Sequence, residues 1–230
     1  MSAEMLAVEL PSAEPEEIHL FEQIAERLRE QILTGKYSPG DRISEKQVAE
    51  IFSVSRTPAR EALRILHREG VVRLYPNRGA CVPKYDRRLI LDTIEVVEYL
   101  ESMAGELSCR RITSEETQWI EFLTEKMSAA HKDGDRIQYY KLNRRIHESI
   151  VAAARNHALF AEYKKYNARL YRVRFAPNQN DEGWRDAMRE HVRMAKLLAA
   201  RDGEELAVLL QKHLSYAWHR FGFDPAVDRE

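Results

Sequence analysis

Arg56, Arg60, Arg64 and Arg68 recur at four-residue intervals within the stretch VSRTPAREALRILHREGVV, residues 54–72. Side chains at that interval lie along one face of an α-helix, so the segment presents a row of guanidinium groups suited to an anion. Arginine forks fit phosphate oxygens and the guanine O6/N7 edge, which makes nucleic acid the first chemistry to consider. The bland reading of the same row is a solvated helix face. Eight histidines accompany only two cysteines, Cys81 and Cys109, so a metal site in this chain has to be built from nitrogen and oxygen.

The elements around the arginines decide between the two readings. Leu20, Ile24, Leu28 and Ile32 keep helical spacing, and that helix should stop near Thr34-Gly35. KYSPGDRI reads as a turn centred on Pro39-Gly40. Ser44 then caps a short helix with Gln47 as its capping-box partner, and Ser55 caps another that has Pro58 in its first turn. The second helix runs over Ala62, Leu63 and Leu66 to a stop at Glu69-Gly70. VVRLY and ACVPKY beyond it read as strands joined at Pro76-Asn77-Arg78-Gly79. Helix, helix-turn-helix and β-hairpin in that order predict a winged helix-turn-helix over residues 17–85.

In such a domain the second helix enters the major groove by its N-terminus. Arg56 and Arg60 are then the groove readers, each worth about 1–3 kcal/mol of base discrimination, while Ser55 and Thr57 bond phosphate. Arg64 and Arg68 are expected to point back toward the domain or the DNA backbone. Asn77, Arg78 and Gly79 form a wing tip able to reach a minor groove, with glycine permitting close approach.

Residues 86–224 lose every strand signal. Helical periods cover 86–111, 114–131, 135–154, 156–175, 181–201 and 204–221, separated by turns such as Lys132-Asp133-Gly134 and Arg201-Asp202-Gly203. In the first period Ile90, Ile94, Val97, Ala104 and Leu107 make the buried stripe, and Asp92, Glu95, Glu98 and Glu106 face water. The fold class expected is mainly α: a winged helix-turn-helix followed by an all-α bundle.

Composition agrees with a two-part chain. Net charge is −1 over 230 residues, yet residues 40–84 hold nine Lys/Arg against five acids, and residues 1–16 hold four Glu and no Lys or Arg. A neutral whole with a basic segment suggests a nucleic-acid module joined to something else. Residues 1–16 read as a disordered tail. No apolar run approaches a membrane span and no leader is evident, so a cytoplasmic location is expected. Both cysteines read as buried or half-buried packing residues.

The run PGDRISEKQVAEIFSVSRTPAREALRILHREGVVRLYPNRGACV resembles the DNA-binding domain of the GntR family of bacterial transcription regulators. By that resemblance the DNA-contacting positions fall on Lys46, Ser55, Arg56, Thr57, Arg60 and Gly79. Lys46 stands where the family commonly has arginine, which suggests phosphate neutralisation in place of a bidentate contact. The helical half resembles the FadR class, with its FCD domain. That class holds a divalent metal on an Asp-x-x-x-His pair and two later histidines, and the matching positions are Asn143, His147, His191 and His213. The resemblance implies Zn²⁺, with Ni²⁺ or Mn²⁺ as alternatives, and a small carboxylate effector bound at the metal.

Helical arithmetic supports convergence of these residues. Asn143 and His147 share a helix face. His191 and His213 lie roughly 11.5 and 10.5 residues either side of the Asp202-Gly203 turn, which puts them level, within about 1.5 Å of rise, in an antiparallel pair. The competing reading is three hydrogen-bonded core histidines. Two departures matter. Asn143 replaces a carboxylate, leaving the expected ligand set without an anion. Val97 also stands where an arginine often precedes the residue seen here as Glu101; Arg169, Arg172 and Arg174, in RLYRVRF, are the candidates to replace it at the effector, against the favoured reading of a solvated or dimer-facing role.

The family further implies a homodimer on a pseudo-palindromic double-stranded DNA operator, acting as a repressor. A regulator that senses the metal ion itself shares all these residues. A metallohydrolase is disfavoured because no acid is placed by motif as a general base.

Overall fold

The structure is a computed structural model that describes residues 19–76, 79–84, 87–170 and 181–219. Asn77, Arg78, Arg172, Arg174, the 1–16 tail, Tyr85 and Asp86 lie outside the described residues.

Helix α1 (Leu20–Leu33) buries Ile24, Leu28 and Ile32 on one face. Helix α2 (Glu45–Phe52) starts as its capping box requires: Gln47 N–H donates to Ser44 Oγ at 3.1 Å, and Ser44 N–H donates to Gln47 Oε1 at 2.9 Å. It ends at Ser53, which takes the left-handed conformation with φ 54°. Helix α3 (Arg56–Arg68) buries Ala59, Ala62, Leu63 and Leu66 and exposes Arg56, Arg60, Arg64 and Arg68. Arg64 and Arg68 therefore face solvent and do not turn back toward the domain; Arg64 pairs with Glu61 at 2.8 Å.

Three short strands complete the winged part: β1 (Arg42–Ile43), β2 (Arg73–Tyr75) and β3 (Gly79–Cys81), in the antiparallel order β1-β3-β2. The expected hairpin is present, but its second strand also pairs with β1, at Ile43↔Ala80 and Arg42↔Cys81. At two residues β1 is too short to show alternation, and it lay within the stretch read as a turn. Cys81 is half-buried and Cys109 buried, as expected.

The remaining chain is helical: α4 (Arg87–Arg111), α5 (Ser114–Lys132), α6 (Arg136–Ala153), α7 (His157–Asn167), a 3₁₀ turn at Ala168–Leu170, α8 (Asp181–Ala200) and α9 (Gly203–His219). Thr113, Asp135 and Asn156 each accept a backbone N–H at the start of α5, α6 and α7. Gly134 and Arg201, at φ 73° and 56°, turn the chain after α5 and α8. Helix α7 ends at Asn167, several residues before the periodicity suggested. Helix α4 runs through the bundle with α9 close along it: a Cβ on Gly105 would lie 2.8 Å from Leu210 Cδ1. Ile120, Leu123, Met127, Ile146, Ile150, Met194, Leu198, Leu206 and Leu210 fill the core between α5, α6, α8 and α9.

The two halves touch through α6. Tyr140, 6% exposed, packs into the apolar core of the winged part. Its neighbour Lys141 reaches α1, with Nζ 3.1 Å from Glu26 and 2.5 Å from Glu30. On the same helix α1, Arg29 forks onto Glu69 at the end of α3, at 2.7 Å. Just past Glu69, a side chain on Gly70 would meet Ala168 Cβ at 2.6 Å.

Candidate nucleic-acid interface and metal centre

The exposed face of α3 begins at Ser55, the backbone N-cap. Its side chain makes no cap hydrogen bond, so its hydroxyl is not committed to the helix. Ser55, Arg56, Thr57 and Lys46 are all exposed. Lys46 sits 3.7 Å from Glu50, one turn along α2. Among the described residues Arg56 has no ion pair, whereas Arg60 is forked onto Glu45: Nε donates to Oε1 at 2.8 Å and Nη2 to Oε2 at 2.9 Å. Gly79 has φ +73°, and a Cβ there would stand 2.7 Å from Ile43 O and 3.0 Å from Ser44 Cα. The glycine is thus required by β1 and the start of α2, a structural reason that the sequence reading did not contain.

The three histidines converge. His147 on α6, His191 on α8 and His213 on α9 are 1%, 1% and 7% exposed, and one ring nitrogen from each lies within 4.8 Å of the others. Ring centroids are 5.3 Å apart for His147–His191, 5.3 Å for His147–His213 and 4.6 Å for His191–His213. His191 and His213 meet across the turn between their helices, with ring centroids 4.6 Å apart.

The Nδ1 atoms of His191 and His213 look outward to acceptors. His191 Nδ1 donates to Ala187 O at 2.7 Å, and His213 Nδ1 donates to Glu190 Oε2 at 2.6 Å. Glu101 Oε1 stands 3.3 Å from His147 Nδ1, with both side chains 1% exposed. A proton on Nδ1 leaves the lone pair of a neutral imidazole on Nε2. His147 Nε2 and His191 Nε2 then face each other at 3.3 Å. That contact is satisfied by a proton on one of the two nitrogens or by a cation held between them. Two nitrogens bound at about 2.0–2.1 Å to one tetrahedral cation sit about 3.3 Å apart. Burial, followed by the charges His213 and His147 would carry, holds His191 well below the ordinary imidazole value of 6.5, which keeps it neutral and able to ligate. The donor set fits a divalent metal.

Asn143 lies half-buried one turn before His147 and makes no side-chain hydrogen bond among the described residues. The anions missing from the expected ligand set are found one layer out, at Glu101 and Glu190. Both escaped the sequence reading. Glu101 falls between Val97 and Ala104 on the stripe of α4 read as buried, and a carboxylate there was a usable signal. Arg169 stacks on Tyr166, with its guanidinium 5.1 Å from the ring centre, and is half-buried. Tyr139 stands edge-on to His191 and to Trp184, and His131 packs 4.4 Å from Trp184.

Residues 20–82 match the family of bacterial regulatory proteins called gntR, and residues 92–216 match the FCD domain. The chain is a GntR-family regulator with an FCD domain. It is 29% identical over 179 residues to the Nta operon transcriptional regulator of Aminobacter aminovorans, covering 77% of this chain and 83% of that one. It is 24% identical over 193 residues to the HTH-type transcriptional repressor RspR of Escherichia coli (strain K12), covering 84% and 85%. The structure of McbR/YncC from E. coli superposes with a TM-score of 0.70 at 23% identity, over 89% of this chain and 99% of that one, which shows the same fold.

This GntR-family chain is a DNA-binding transcription regulator with a ligand-binding FCD domain, and not an enzyme. Among the described residues no helix is long and apolar enough to cross a membrane.

Proposed function

We propose that the chain represses its target genes in the cytoplasm as a homodimer on a pseudo-palindromic operator, and that a small carboxylate bound at a metal in the FCD bundle changes its hold on DNA. The observation that carries this reading is the convergence of buried His147, His191 and His213 on one point, with the Nδ1 atoms of His191 and His213 hydrogen-bonded outward. These three would hold Zn²⁺, or Ni²⁺ or Mn²⁺, with Asn143 beside them, and the bound cation would supply a Lewis-acid anchor for a carboxylate. Val96, Tyr99 and Met103 expose an apolar stripe on α4, 39%, 63% and 52% exposed, which supports a second copy as its cover.

The contacts between the halves supply a route. Helix α6 carries His147 at one point and Tyr140 and Lys141 two turns earlier, so displacement of His147 moves the side chains that seat α1. Helix α1 in turn holds the end of α3 through Arg29 and Glu69. On the DNA side we assign Arg56 and Arg60 to base edges, and Lys46, Ser55 and Thr57 to phosphate. Asn77 and Arg78 are assigned to the wing contact, and Arg169 and Arg172 to the effector side.

Selection from a random duplex pool tests the reading. It predicts an inverted repeat whose affinity changes when metal and citrate, as a probe carboxylate, are added together. A change produced by metal alone would favour a metal-ion sensor, and selection of no inverted repeat would overturn the operator model.

A further inference from the structure

The fork between Glu45 and Arg60 joins the first residue of α2 to the exposed face of α3, 15 residues away. The backbone at Glu45 is firmly placed: Ser44 before it is locked in the capping box with Gln47, and β3 backs it closely at Gly79. The carboxylate engages the guanidinium side-on, through Nε and one N–H of Nη2. Three of the five N–H donors remain, two on Nη1 and one on Nη2, and the end of the fork made by Nη1 and Nη2 points two parallel donors forward. That end-on pair is the one that matches guanine O6 and N7.

Resting on the regulator reading above, we infer that Glu45 is a specificity-determining positioning residue: it fixes Arg60 with its end-on face presented, so that Arg60 reads a guanine and does not wander to a phosphate. Two consequences follow from the charges. The pair is neutral as a unit, so Arg60 adds little to the salt-dependent, sequence-independent part of binding. A free arginine at the same place would neutralise a phosphate on any sequence. Arg56, which has no ion pair among the described residues, lacks such a restraint and supplies both affinity and reading. Arg64 does not substitute, since its partner Glu61 lies on its own helix one turn back and is unrelated to α2.

The test uses the full chain, the duplex it selects from a random pool, and a scrambled duplex of equal length. Glu45→Gln keeps the size of the side chain and removes the charge. It is expected to lower the ratio of selected to scrambled affinity about tenfold. It should also strengthen scrambled-duplex binding and steepen its log–log salt dependence by up to about 0.9, one phosphate's worth. Arg60→Ala should lose the same discrimination without the steeper salt dependence, and the double variant should discriminate no worse than Arg60→Ala alone. Glu45→Gln with discrimination unchanged or improved would overturn the inference, because the carboxylate would then be a passive restraint or a competitor of DNA. A wild-type chain that selects no sequence would overturn the regulator reading, and this inference with it.

Discussion

His147 Nε2 and His191 Nε2 face each other at 3.3 Å inside the bundle, where His191 Nδ1 donates to Ala187 O and the Glu101 carboxylate stands 3.3 Å from His147 Nδ1. The arrangement is built from outside inward. Ala187 and Glu190 hold the rings of His191 and His213, and the three rings have one point in common.

With the buried Glu101 carboxylate 3.3 Å from His147 Nδ1, Glu101→Gln should weaken metal binding by about 10–100-fold while leaving the helical content intact. Competition with a chromophoric chelator measures this. Unchanged affinity would mean that the carboxylate serves packing only.

Lys141→Glu places a third acid against Glu26 and Glu30 and should loosen α6 from α1. Metal binding and operator binding should each survive. The ratio of operator affinities with metal loaded and with metal stripped by chelator should fall toward one. A variant that keeps the wild-type ratio would exclude this contact as the route.

Gly79→Ala should destabilise the winged part by about 1–3 kcal/mol, through a positive φ that alanine disfavours and a clash with the Ile43 carbonyl. Urea unfolding read from the winged part, set beside metal affinity as a check that the bundle is unaffected, measures it.

The Arg60 guanidinium holds the Glu45 carboxyl below its ordinary value of 4.5. A carboxyl lowered in the folded state adds stability that is present above its unfolded value and lost as pH falls through its folded value. The difference in urea midpoint between wild type and Glu45→Gln should therefore be small but steady at neutral pH, shrink as pH falls below 4.5, and disappear once pH is below the lowered folded-state value. A gap that persists in acid would show that the side chain acts by something other than its charge.

Much of this was legible in the sequence because long amphipathic helices and caps leave strong local signals. The row of arginines on α3, the capping box at Ser44 and the turns at Gly134 and Arg201 are all properties of a few consecutive residues. The meeting of His191 and His213 needed only one turn and a constant rise. What escaped was non-local or too short to be periodic. Strand β1 has two residues and exists through its pairing with β3. The pairing of Arg60 with Glu45 depends on how α2 crosses α3, and that of Glu190 with His213 on how α8 faces α9. Ser55 was read as a side-chain cap, yet only its backbone serves α3. Glu101 stands on the buried stripe of α4, but no local spacing ties a carboxylate on that helix to the histidine of α6.

The central claim rests on the three histidines, and element-resolved metal content of the purified chain tests it most directly. The account predicts about one Zn²⁺, Ni²⁺ or Mn²⁺ per chain, lost in His147→Ala and in His213→Ala while both variants remain helical. A folded wild-type chain that holds no metal, even after incubation with Zn²⁺ and removal of excess, would contradict it and would make the triad a hydrogen-bonded core.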